Sequence, residues 1–431
     1  MKLITKVFLV LLALCFAPTL SAQQVQSFTV NGLKVIFKQN SANDIISSNI
    51  YYKGGVTNLT EDKAGLEALT LIVSTKASKN YPKDKMNEAL EGMNSVINTN
   101  SNFDFSNVSL LCVKQNFAKS WEIFSDIIVN PSFVEEDLVL EREKMINNLK
   151  QVNDNPDAYL QKLVNNQIYV DHPYSIEVNG TENTLSSFST DDLKMYHSEL
   201  MNTSRMLLVV VGNTTKSELE AMVKGSFGTI PTGNYTASVP PVVEFSEPSI
   251  KIVKKDQPTT YIQGTYPAPA RGTEEGYTML IANSILRDRV WEEVRTKRSL
   301  SYAPSTRYVN NFSNYGGIYV TAVDPDTTIE VMVNELQKMK DELIPEKDLS
   351  NKIRQFLTFY YLGQETNQTQ ANSLAVYELA GIGYNETANF IKHVSKVNAT
   401  DIQNVAQKYM KNLQFVLIGN LDKLEVNTYM Y

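Results

Sequence analysis

The feature that most constrains this chain is that it echoes itself. Residues 207–213 read LLVVVGN and residues 415–420 read FVLIGN. Each is a short apolar run ending in Gly-Asn, the pattern of a buried strand. Ahead of the first stands STDDLKMYHSELMN, and ahead of the second NATDIQNVAQKYMKN. Both predict a helix opened by a Ser/Thr/Asp start signal and followed by the strand. A second echo pairs PSFVEEDLVLEREKMINNLKQ (131–151) with IPEKDLSNKIRQFLTFYYLG (344–363). Each has a proline, an acidic first turn and then a long amphipathic helix. Two echoes in the same order predict two copies of one α+β unit, and two copies do not make a solenoid.

The length agrees, since 431 residues are more than one ordinary core needs. Between the copies, GNYTASVPPVVEFSEPS (233–249) is rich in Pro, Ser and Thr and has no helical period, which predicts a linker. The expected organisation is a signal peptide over 1–22, an N-terminal domain over 23–232, a linker over 233–248 and a C-terminal domain over 249–431. Each half opens with strands, QSFTVNGLKVIFKQN and SIKIVKKDQPTTYIQGTYPA. Alternation in segments such as FDFSNVSLLCV predicts, in each half, a mainly antiparallel sheet with helices packed on one face.

The N-terminus reads MKLITKVFLVLLALCFAPTLSAQQ. Lys2 and Lys6 make a positive start, Val7 to Phe16 an apolar run too short to span a bilayer, and Ser21-Ala22 a small-residue cleavage site. Export to the periplasm, or secretion, is the expectation. No later stretch has the length and apolarity of a transmembrane segment. After cleavage only Cys112 remains, so no intrachain disulfide is expected.

Composition and motifs narrow the chemistry. The formal net charge is −7 and no long basic block exists, which argues against a nucleic-acid partner. The three histidines, His172, His197 and His393, include no pair at the i, i+4 spacing that sets two imidazoles on one helical face for zinc. His172 lies in the turn-like DHPYS and reads as a structural hydrogen-bonder. His197 and His393 read as surface or core-edge residues of amphipathic helices. Cys112 sits inside an alternating strand, where a thiol is usually inert. No G-x-S-x-G, phosphate loop or Walker motif is present.

The ordered set of GL at 65–66, EREKMINNLKQVNDNPDA, DHPYS…NG, LLVVVGN and WEEVRTKRSLSYA resembles the pitrilysin/insulinase-type zinc metallopeptidases. The resemblance runs over nearly the whole mature chain. Active members of that family carry the inverted motif H-x-x-E-H on a helix after a Gly-Leu pair. Aligned on AGLEALTLI (64–72), the first zinc histidine falls on Ala68, the catalytic glutamate on Leu71 and the second histidine on Ile72. The third ligand, a glutamate on the later long helix, falls near Asn148. Ala, Leu and Ile offer a metal no lone pair and water no proton acceptor. A neutral amide alone holds zinc poorly. The expectation is no catalytic zinc and no cofactor in this chain.

The resemblance also implies a retained function. In the zinc-free half of the family, an Arg and a Tyr seven residues later face the zinc half across a closed chamber and contact substrate near the scissile bond. The matching residues in VRTKRSLSYA are Arg295 and Tyr302. A phenol or guanidinium placed there stabilises the negative charge that develops on the carbonyl oxygen. On spacing alone, the competing reading is a surface ion pair at Arg295 and a half-buried strand tyrosine at 302. The Gly- and Ser-rich loop that often precedes this stretch in the family is shortened here to ILRDRVWEEVR. Some bacterial members divide the work between two chains, and this one resembles the zinc-free partner. The implied partners are a homologous H-x-x-E-H-bearing subunit and an unfolded peptide, taken as an added strand on an edge of that subunit. The alternative expectation is a non-enzymatic peptide-binding or scaffold protein that keeps only the peptidase fold. A self-sufficient enzyme with an unrecognised centre ranks behind both.

Overall fold

The structure is a computed structural model that describes residues 25–309, 311–420 and 424–431. The expected signal peptide, 1–22, lies outside the described residues.

The fold is α+β, with two sheets and fourteen helices among the described residues. The first sheet comprises β1 (Val25–Val30), β2 (Leu33–Gln39), β3 (Ile45–Lys53), β4 (Val96–Ser101), β5 (Phe105–Val113) and β6 (Met206–Gly212). Its helices are α1 (Leu66–Ser74), α2 (Lys83–Gly92), α3 (Phe117–Val129), α4 (Glu135–Asp154), α5 (Pro156–Ile168), α6 (Glu182–Ser187), α7 (Thr190–Leu200) and α8 (Lys216–Phe227). The second half runs β7 (Ser249–Lys254), β8 (Thr260–Pro267), α9 (Glu274–Val290), β9 (Ser305–Tyr308), β10 (Tyr315–Ala322), α10 (Pro325–Asp341), α11 (Glu346–Gly363), α12 (Asn367–Leu379), α13 (Glu386–Val394), α14 (Ala399–Tyr409) and β11 (Gln414–Gly419).

The strand orders are β1-β2-β6-β3-β5-β4 and β7-β11-β8-β10-β9. Without β1, the first maps strand for strand onto the second. Each sheet has a single parallel pair, β2 with β6 and β7 with β11, and is otherwise antiparallel. The echoed segments occupy equivalent places. The two Gly-Asn runs are β6 and β11, the long amphipathic helices are α4 and α11, and α7 and α14 each start on a capping box, at Ser189 and Asn398.

The expectation of helices on one face holds only for each half's own helices, because the other half supplies a helix that covers the second face of each sheet's central strands. Along β6, Leu208 and Val210 join the main core of the first half, with Phe37, Leu69, Phe124 and Leu193. The alternate residues Leu207, Val209 and Val211 pack on Ala371, Leu374 and Ala375 of α12, a helix from the second half. Along β11, Phe415 and Leu417 face the second half's own core, while Val416 and Ile418 pack on Leu160 and Val164 of α5, from the first half. The helix after each long helix is thus lent to the other half's sheet. This is why β6 and β11 are apolar at every position: period-two alternation disappears when both faces are dry.

Strand β3 hides the exchange from a sequence reading. Ile46, Ile50 and Tyr52 face the core, and Ser47, Asn49 and Tyr51 alternate with them as a solvent face would. Helix α12 covers that polar face with matching amides. Ser47 Oγ donates to Gln368 Oε1 (2.7 Å), Gln368 Nε2 to Asn49 Oδ1 (2.8 Å), Tyr51 OH to Asn372 Oδ1 (2.5 Å) and Asn367 Nδ2 to the Ile45 carbonyl (2.6 Å). At roughly 0.5–1.5 kcal/mol net each, these bonds fix the helix's register, while the apolar contacts of Ala371, Leu374 and Ala375 hold it down. Residues 233–248 carry no helix or strand, but Val243 is buried and the Pro241 carbonyl bonds to His172.

Candidate functional site

Helix α1 begins directly after Gly65, whose φ of +84° and close approach to Gly180 leave no room for a side chain. It packs between α4 and α7. Ala68 and Leu71 are only 3% and 1% exposed and belong to the main core. Ile72 packs against the same cluster, as do Ile146 and Leu149 of α4. Asn148 points outward and is exposed. The four positions aligned with the metal site therefore present three aliphatic side chains, two of them buried, and one solvent-facing amide. These residues do not fit a zinc ion. Among the described residues, no group of three or more His, Cys, Asp or Glu is placed to hold a metal.

Sequence reasoning missed the one charge on this helix. Glu67 is 2% exposed, and its Oε2 accepts from Arg205 Nη2 (2.8 Å) and from Tyr196 OH (2.6 Å). Arg205 is itself 3% exposed, bonds the Lys53 carbonyl through Nε (3.2 Å) and lies over the rings of Tyr196 and Tyr235. A lone glutamate amid LEALTLIVS was the available signal, because a buried carboxylate needs a buried cation.

The second predicted constellation is brought together. After α9 the chain continues into a wider, π-helical turn, Trp291–Thr296, with Lys297 N donating to the Glu292 carbonyl (2.9 Å). Such widened turns recur at functional sites. Arg295 Nη1 donates to the backbone carbonyl of Tyr302 (2.9 Å). Its guanidinium lies 4.3 Å from the Trp291 ring centroid and 5.6 Å from that of Tyr302. On either side of Tyr302 the loop is tied down: Ser301 Oγ donates to the Thr321 carbonyl (2.6 Å), and Ala303 N donates to Ser301 Oγ (3.2 Å). Held this way, the Tyr302 side chain is still 85% exposed. The short ILRDRVWEEVR is thus continuous helix and turn, and Trp291 occupies the underside of Arg295.

Tyr302 and Trp291 border an open cleft of about 700 Å³ that runs along the whole of β9, the edge strand of the second sheet. The first-half equivalent of β9 is β4, also an edge strand. The tips of the two edge hairpins touch. Asp104, in the β4–β5 turn, accepts from Tyr174 OH and from Phe312 N (3.0 Å), in the β9–β10 turn. Burial raises its carboxyl to about 6, against the opposing pull of Tyr174, the Phe312 N–H and the Arg271 charge.

The histidines and the cysteine have structural roles. His172 Nδ1 accepts from Tyr174 N (3.0 Å), which leaves Nε2 to donate to the Pro241 carbonyl (2.9 Å). His197 Nε2 bonds the Ile128 carbonyl (2.8 Å). His393 stacks on Tyr277 and lies 3.3 Å from Glu386. Burial lowers the pKa of His172 and His197 and pushes the Cys112 thiol up to about 12, so Cys112 carries no thiolate at neutral pH.

Two family profiles match the chain. "Insulinase (Peptidase family M16)" covers residues 34–182, and "Peptidase M16 inactive domain" covers 187–356. The chain belongs to the insulinase, or M16, peptidase family. Its M16 relatives include an "uncharacterized zinc protease" of Rickettsia felis, 22% identical over 89% of this chain and 94% of that one. They also include a "non-peptidase homolog" of Helicobacter pylori, 20% identical over 97% of this chain and 99% of that one. Among solved structures, an M16 inactive domain from Pseudomonas fluorescens superposes with a TM-score of 0.84 at 15% identity, over 92% of this chain and 98% of that one. The periplasmic protease PqqL of Escherichia coli gives 0.76 at 14% identity, over 93% of this chain and 48% of that one. These likenesses establish the M16 fold. Among the described residues, no helix is long and apolar enough to cross a membrane.

Proposed function

We propose that this chain is the zinc-free subunit of an exported heterodimeric zinc metalloendopeptidase. In this reading it completes a peptide-binding chamber and presents Arg295 and Tyr302 to substrate held by a homologous H-x-x-E-H-bearing partner. The observation that carries the reading is the Arg295–Tyr302 contact. A surface tyrosine with no role has no reason to be pinned at its backbone carbonyl by a guanidinium stacked on a tryptophan while its phenol is left in solvent. Positioning one donor without burying it is what a site completed by a second chain requires. The partner would hold the zinc that activates water. In this chain the Tyr302 hydroxyl donates to the carbonyl oxygen as negative charge develops there, and Arg295 fixes the loop and adds positive potential. The domain division at 233–248 and the periplasmic setting are part of this proposal; the likeness to a periplasmic protease supports the setting.

The test is cleavage of an unstructured fluorogenic peptide with added zinc by this chain, by the H-x-x-E-H chain of the same genome, and by the mixture. Activity confined to the mixture supports the proposal. Equal activity with and without this chain overturns it. That outcome favours the second reading, a peptide-binding or scaffold protein, to which the relative named as a non-peptidase homolog lends support.

A further inference from the structure

The cleft beside Tyr302 has a feature that the Arg/Tyr role does not use. Its floor is an unpaired strand edge. Among the described residues, strand β9 pairs only with β10, in the register Tyr308↔Gly316, Arg307↔Gly317, Thr306↔Ile318 and Ser305↔Tyr319. Val309 N donates to the Tyr315 carbonyl (2.9 Å), which makes 309↔315 a hydrogen-bonded pair in the same register. Antiparallel ladders alternate. The N–H and C=O groups of Ser305 and Arg307 therefore point into the sheet, and those of Thr306 and Tyr308 point out into the cleft. Two residues two apart, with outward donors and acceptors, are the minimal template for one added strand.

The lining says what kind of strand. The charged residues that line the cleft are both arginines, Arg287 and Arg307, in a chain whose net charge is −7. Trp291, Tyr302 and Tyr319 add aromatic walls, with Trp291 itself 42% exposed. Asp288 and Glu292 lie on the adjoining helix and turn, and Asp288 already faces Lys352 and Arg287. Cations on a groove wall recognise carboxylates, and exposed aromatic faces recognise apolar or planar side chains.

We infer that the β9 edge of this chain is itself a peptide-binding edge, taking an extended acidic segment as an added strand against Thr306 and Tyr308. The inference deepens the proposed function and rests on it for the origin of the peptide, since the cleft is continuous with Tyr302. It adds that this subunit holds substrate backbone directly and favours Asp and Glu beside Arg287 and Arg307.

The experiment uses the full mature chain alone and a labelled ten-residue peptide of alternating Glu and Val, read by fluorescence anisotropy. Two N-methylated versions block alternate sets of backbone N–H groups. An added strand presents only one set to β9, so one version should bind about tenfold or more weakly and the other should match the parent. Equal weakening by both, or no binding of the parent, overturns the inference. Replacing Glu by Gln in the peptide, or Arg287→Glu in the protein, should weaken binding about tenfold in low salt. If neither does, the acidic preference is wrong. The two-chain cleavage assay is read separately. Alternating N-methyl sensitivity with an inactive mixture would leave the edge and remove the peptidase reading. An active mixture with no such sensitivity would do the reverse.

Discussion

Arg205 and Glu67 form an ion pair with 2.8 Å between Nη2 and Oε2, and both side chains are almost wholly removed from solvent. The pair ties the helix aligned with the metal-binding helix of M16 peptidases to the start of β6. It also spans positions 138 residues apart in sequence. Breaking one side of such a pair strands the other charge in the core. Arg205→Ala should therefore destabilise by roughly 3–5 kcal/mol, and Glu67→Leu by a similar amount. The double change Glu67→Leu/Arg205→Met should cost clearly less than the sum, because no charge is left behind. Urea unfolding of the four proteins measures this. Additive losses would mean that the two residues act independently.

The same helix makes a second prediction about pH. Leu71 aligns with the catalytic glutamate and is 1% exposed in an apolar cluster. Leu71→Glu should therefore destabilise strongly, by several kcal/mol at neutral pH. Burial raises the pKa of the new carboxyl, so the damage shrinks as pH falls and the group neutralises. Denaturation midpoints at about pH 5 and pH 8 should converge and diverge from the parent accordingly. A pH-independent loss would point to shape rather than charge.

Asp104 gives the native protein its own pH signature. Burial holds its carboxyl at about 6, above the unfolded value. The sign follows from proton counting. Between about pH 4 and 6 the unfolded chain has released this proton and the folded chain retains it. Its contribution is complete below about pH 4 and is lost as pH rises through about 6, by roughly 3 kcal/mol in all. Asp104→Asn should flatten the stability curve over that interval, measured by Tm against pH. An unchanged slope would show that the carboxyl titrates normally.

Tyr302 separates function from stability. Its side chain is 85% exposed, so Tyr302→Phe should leave Tm within the error of the measurement. In the two-chain cleavage assay it should lower kcat by about 10²–10³-fold if the phenol stabilises the transition state. Arg295→Ala releases the Tyr302 carbonyl and should lower activity as well, with partial return in Arg295→Lys. Full activity in Tyr302→Phe would move the site elsewhere in the cleft.

Much of this protein was legible without coordinates. The two Gly-Asn strands, the long amphipathic helices and their order determined a duplicated α+β chain, because strand and helix periodicity are local properties. That Ala68, Leu71 and Ile72 offer a metal no side-chain ligand was equally legible, because an aliphatic side chain has no donor atom in any conformation. The pairing of Arg295 with Tyr302 came from the family resemblance, since their spacing alone favoured a surface ion pair and an unrelated strand tyrosine. That the contact runs from guanidinium to backbone carbonyl, with Trp291 beneath it, required the turn after α9 to widen, and turn geometry is weakly encoded in side-chain type.

Tertiary structure decided what depends on residues far apart in sequence. Sequence reasoning assigned Glu67 no role, since its partner lies at position 205. Ser47, Asn49 and Tyr51 alternate with apolar residues in the pattern of a solvent face, because nothing local announces that Gln368 and Asn372 arrive from the other half. The apolar runs of β6 and β11 read as buried strands, but nothing in them named the helix that covers their second face. Local chemistry fixed the elements of this chain, and long-range complementarity of polar and apolar faces fixed how its two halves are joined.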